Sequence, residues 1–137
     1  MNAREGTPPT AGDIEEIAAR VFETIPETLR KHAAEVRIRV VEFPTAEVMR
    51  EMEIDSSFDL LGLYQGVPIG DKSVSDVRHD IDMIFLYRRP LLDYWVENNA
   101  RLEDVVRHVL IHEIGHHFGF SDADMAAIED LGDDSGI

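Results

Sequence analysis

The chain has 137 residues and no cysteine, so disulfides and thiolate metal sites are excluded and any metal must be held by His, Asp or Glu. That length suits one domain able to bury its own core. A formal net charge of -15 opposes nonspecific docking on nucleic acid or anionic membranes and favours a cationic ligand, a divalent metal or a basic peptide.

Residues 1–12 carry Gly6, Pro8, Pro9 and Gly12 among polar side chains and read as a flexible lead-in without the apolar stretch of a signal peptide. Nowhere do about 18 apolar residues run together, so a soluble, cytoplasmic protein is expected. From Asp13, the positions Ile14, Ile17, Ala18, Val21, Phe22 and Ile25 follow helical spacing with one apolar stripe. Pro26 interrupts this helix, and 27–32 adds a short second one in which His32 reads as a surface residue. Val36, Ile38 and Val40 alternate with Arg37 and Arg39, which predicts a strand over 36–43. Thr45 can cap a short helix over 45–52. Leu60, Leu61, Leu63 and Tyr64, bounded by Gly62, Gly66, Pro68 and Gly70, predict a short strand entering a turn; the glycines match no nucleotide-binding fingerprint.

Residues 71–80 are polar and read as a loop that includes His79. A third strand over 81–88 is apolar enough for burial on one face and partly on the other, and its edge could pair with an extended peptide. Pro90 suits the first turn of a short helix, and Asn99 is placed to cap the next one. In that next helix Leu102, Val105, Val106, Val109 and Leu110 form a stripe that runs straight into His112. Ser121 and Asp124 can cap a final helix holding Met125, Ala126, Ile128 and Leu131. The order predicts a small α+β domain over 13–132, with an acidic tail over 133–137.

The chemistry is concentrated in HEIGHHFGFSD, residues 112–122. On a helix each residue advances about 100°, so His112 and His116 project from one face one turn apart and can share one zinc ion. Glu113 lies between them, where a carboxylate can take a proton from water at the metal. Gly119 permits a left-handed turn, after which the chain doubles back and presents Asp122 as a candidate third ligand. His117 lies about 140° round the helix from His112 and cannot share that metal, so a packing or capping role is expected. His108, one turn before His112, reads as a helix-packing residue with a second candidate role beside the metal site. Tyr87 and Tyr94 are candidate donors to an oxyanion, although ordinary burial accounts for them as well.

In its HExxHxxGxxD form the stretch resembles the zincin metallopeptidases, with aspartate where the metzincin arrangement has a third histidine. Together with LLGLYQGVPIG and LYRRPLLDYW, it resembles the small bacterial zincin-like metallopeptidase family, formerly a domain of unknown function. The resemblance runs from about Ile14 onward and implies a minimal zincin: a few-stranded sheet packed on helices that include the active-site helix. It implies one Zn2+ held by His112, His116 and Asp122, with Glu113 as catalytic base in a peptidase acting on peptide or protein substrates. No segment supplies the Met-turn of larger metzincins, and Met125 reads as a core residue. With no sizeable C-terminal subdomain to wall a cleft, the groove is expected to be shallow or completed by a protein partner. Two alternatives differ in class. A non-catalytic, zinc-stabilised interaction domain would not need Glu113. A metal-dependent endoribonuclease, suggested by a bacterial family with a related His-x-x-x-His helix, is opposed by Asp122 in place of a third histidine and by the net charge.

Overall fold

A computed structural model describes residues 7–69 and 79–130. Residues 1–6 of the expected lead-in, most of the expected loop at 71–80, and the tail at 133–137 lie outside them. Helix α1 (Ala11–Phe22) begins two residues before the expected start because Thr10 and Asp13 form a capping box. The Thr10 hydroxyl accepts from the Asp13 N–H at 3.0 Å, and the Asp13 carboxylate accepts from the Thr10 N–H at 2.8 Å. Its stripe of Ile14, Ala18 and Val21 is buried. Beyond Pro26, α2 (Glu27–Arg30) and a 3-10 turn at Lys31–Ala33 turn Leu29 and Ala33 into the core.

Strand β1 (Arg37–Val41) is followed by α3 (Ala46–Glu51), capped as expected by the Thr45 hydroxyl, which accepts from the Val48 N–H at 3.1 Å. Strands β2 (Gly62–Ile69) and β3 (His79–Tyr87) complete a sheet of order β1-β3-β2, in which β1 runs parallel and β2 antiparallel to β3. Two expectations change here. Gly66 and Pro68 lie inside β2 rather than in a turn, since an edge strand tolerates a residue with no N–H to donate. The third strand is the centre of the sheet and has no free edge; the two edge strands are β1 and β2. His79 accordingly opens β3 and is not a loop residue. Central placement accounts for the composition of β3, with Ile84 and Leu86 fully buried on one face and Met83 and Phe85 half-buried on the other.

Helix α4 (Arg88–Asn98) carries Pro90 in its first turn, where a missing N–H costs nothing. Asn99 does not cap the next helix: it takes the left-handed conformation, φ 49°, and ends α4. Helix α5 (Leu102–His117) then starts after Arg101 and forms the spine of the domain. Its Val106, Leu110, Ile111 and Ile114 are fully buried, and it packs against α1, β2 and the final helix, α6 (Asp122–Asp130). Met125 and Ile128 of α6 close the core from the other side. The expected Ser121 and Asp124 cap is present: the Ser121 hydroxyl accepts from the Asp124 N–H at 3.0 Å, and the Asp124 carboxylate accepts from the Ser121 N–H at 3.3 Å. The result is a small α+β domain. Among the described residues, no helix is long and apolar enough to cross a membrane.

Candidate metal centre

The centre is built on the hairpin of α5 and α6. Gly119 has φ 81°, a region where a Cβ is strained, and it reverses the chain between the helices. Gly115 allows the helices to come together: a Cβ there would overlap Met125 Sδ and lie 2.7 Å from its Cγ. Across such a hairpin, residues equally far from the turn face one another. His108, His112 and His116 form a row along α5, and Asp122 and Glu129, two turns apart, form a row along α6.

At the turn end, His116 Nε2 lies 3.6 Å from Asp122 Oδ1. That is too long for a hydrogen bond, and it is close to the roughly 3.4 Å that separates two ligand atoms of one tetrahedral zinc with bonds of about 2.0–2.2 Å. The His112 and His116 rings are 5.9 Å apart between centroids and steeply inclined, at 73°. Both expected histidines therefore sit on one face, His116 beside Asp122. His112, however, points its Nε2 at Glu129 Oε1, 2.8 Å away, while Glu129 Oε2 lies 2.9 Å from His108 Nδ1. Among the described residues, it is His108, His112 and Glu129 that bring three ligand atoms within 4.8 Å of one another; the expected trio is not gathered that closely. Two imidazoles with one carboxylate at either level is a nitrogen and oxygen donor set that suits zinc.

Glu129 lies outside the 112–122 motif, which does not single it out. The signal was present in its spacing of seven from Asp122, which puts both carboxylates on the α6 face toward α5. Partial burial works to raise the Glu129 pKa, but the hydrogen bonds and electrostatic attraction of the His108 and His112 rings prevail and hold it below the ordinary carboxylate value. His108 thus contacts Glu129 directly and stacks near His112, with ring centroids 4.1 Å apart.

Glu113 faces the sheet. Its Oε1 accepts the Tyr64 N–H at 3.1 Å, on the side of β2 that faces away from β3. Burial pushes its pKa up, and the Tyr64 hydrogen bond and the nearby His116 only partly offset that. Tyr87 is buried, and its phenol is pushed up to about 12 by burial and by the charge of Glu113, so it stays protonated beside that carboxylate. Tyr94 is 41% exposed on α4. His117 packs, as expected, stacking on Tyr64 at 4.0 Å. His32 is exposed, as expected, but its ring lies 5.2 Å from that of Phe118 and 5.6 Å from that of Phe120, just beyond the histidines. A shallow depression of about 190 Å³ reaches the centre between the start of β2 and α5, lined by Leu60, Leu61, Gly62, His108, Val109, His112 and Glu113. A larger cavity of about 520 Å³ touches Glu129 from the α1 side but meets neither Glu113 nor His116.

Among curated proteins no relative matches the chain. The family model of zincin-like metallopeptidases matches residues 33–131, a span that takes in all three strands, the α5 histidines, Glu113, Asp122 and Glu129. This family implies zinc binding, and the chain supplies a fitting donor set on one helix hairpin. With well over half its length covered, the chain belongs to the zincin-like metallopeptidases.

Proposed function

We propose that the chain is a zinc-dependent endopeptidase in which His112, His116 and Asp122 hold one ion and Glu113 is the general base. The observation that carries this reading is the placement of Glu113: half-buried, anchored through one oxygen to the Tyr64 N–H, and set between two imidazoles of the same helix. A zinc ion bound there supplies Lewis-acid chemistry, lowering the pKa of water and polarising a carbonyl. Glu113 supplies the proton transfers. With Oε1 fixed by Tyr64, its other oxygen accepts a proton from the attacking water and returns it to the leaving amine. Burial strengthens it as a base by raising its proton affinity.

Substrate is an extended peptide or protein segment laid along the outer side of β2, next to the Tyr64 N–H that Glu113 holds. The depression lined by Leu60, Leu61 and Gly62 receives a side chain next to His112 and Glu113. Its shallowness favours short contacts around the scissile bond, or a protein partner that completes the wall. The test is digestion of a peptide library by zinc-loaded protein beside its Glu113→Gln variant at equal metal content. The variant keeps zinc and loses hydrolysis by at least about a hundredfold. Hydrolysis that survives the substitution removes Glu113 from the role.

A further inference from the structure

The α5–α6 hairpin carries two levels of ligand-bearing side chains. Near the turn are His112, His116 and Asp122; one turn away are His108, His112 and Glu129, with His112 common to both. We propose that His108, His112 and Glu129 form a second binding site for a divalent transition-metal cation, alternative to the one at His112, His116 and Asp122.

The geometry supports this in three ways. His108 and His112 stand at i and i+4 on one helix face, the spacing that lets two imidazoles meet one ion. Glu129 comes from the facing helix and reaches both rings at once, one oxygen to each, with the three ligand atoms inside 4.8 Å of one another. Their burial is graded, His108 exposed and His112 and Glu129 half-buried, so an ion can enter from solvent while two of its three ligands are held by packing. Two nitrogens and a carboxylate suit Zn2+, Co2+ or Ni2+. Sharing makes the sites exclusive. His112 Nε2 can meet one ion at a time, so an ion at the Glu129 level withdraws a ligand from the level that Glu113 serves, and loading there requires His112 to part from Glu129. The ratio of the two affinities, not the amount of metal, therefore sets which level is filled.

This assignment does not depend on peptidase activity, and direct binding tests it. Co2+ is titrated into the full chain carrying His116→Ala and Asp122→Ala, with the visible absorption of bound Co2+ as readout, followed by displacement with Zn2+. Circular dichroism and Tm establish that each variant is folded. The expected result is one Co2+ per chain, bound at least tenfold more weakly once Glu129→Gln or His108→Ala is added. Absence of binding by the folded double variant overturns the proposal, and so does an affinity that neither addition changes. The converse variant, His108→Ala with Glu129→Gln in an otherwise unchanged chain, keeps only the turn-end level; if it alone fails to bind, the ligand assignment under the peptidase reading fails while the second site stands. Simultaneous binding of two ions by the unaltered chain, each with a His112-dependent spectrum, contradicts the exclusivity.

Discussion

Glu113 serves the proposed reaction at the expense of the fold. Its folded pKa is raised, so its contribution to stability is complete below the ordinary carboxylate value and is lost as pH rises through the folded value; at neutral pH the ionised group burdens the metal-free protein. Glutamine keeps an oxygen to accept the Tyr64 N–H and carries no charge. Glu113→Gln is therefore expected to raise the Tm of the metal-free protein at pH 7 while removing hydrolysis, and thermal melts at pH 4 and pH 7 should show the advantage shrinking at the lower pH. An advantage of equal size at both pH values would place its origin elsewhere. Glu129 has the opposite sign. Its pKa is lowered, so its stabilisation is present above the ordinary carboxylate value and is lost as pH falls. The shared face of His112 and His116 could be read directly because it follows from spacing along one helix. Glu129 could not be singled out that way, because its meaning depends on which face of α6 the hairpin turns toward α5.

At the level of elements, the hairpin sets the site. The path from sequence to function runs through two glycines: Gly119 allows the reversal and Gly115 sets how closely α6 approaches. Gly115→Ala forces a methyl into Met125 and is expected to cost about 1–3 kcal/mol, as overpacking does. Because Asp122 and Glu129 ride on α6, it should also weaken metal binding. Adding Met125→Ala makes room, so the double variant should recover metal affinity relative to Gly115→Ala alone; no recovery would show that the contact does not transmit the effect. Gly119→Ala is expected to cost about 1–2 kcal/mol from the left-handed backbone. Denaturant unfolding measures both. Caps and strands were legible to differing degrees for local reasons. The Thr10, Thr45 and Ser121 caps involve neighbours in sequence. The role of Asn99 turned on whether it ended one helix or began the next, and β2 kept its Gly66 and Pro68 because pairing with β3 outweighed their turn preference.

At the scale of the whole molecule, an ion shared between α5 and α6 would link folding to metal binding. It would stabilise the folded chain by about 4 kcal/mol at a zinc concentration a thousandfold above Kd, which corresponds to a Tm rise on the order of 10 °C. Chelation should reverse this, and melts with and without chelator measure it; an unchanged Tm would mean that no ion bridges the hairpin. The α+β class was readable from the order of helical and alternating patterns. The sheet order was not, since placing β3 between β1 and β2 requires long-range pairing that leaves no local mark. That order leaves β2, the strand whose Tyr64 N–H holds Glu113, at one edge of the sheet, where the proposed substrate would lie. The most direct test of the account is a crystal structure of the zinc-loaded protein with anomalous scattering collected at the zinc edge. The proposed ligand set predicts a peak within about 2.0–2.2 Å of His112 Nε2, His116 Nε2 and an Asp122 oxygen. A zinc-loaded crystal with no peak in reach of His116 and Asp122 would contradict it.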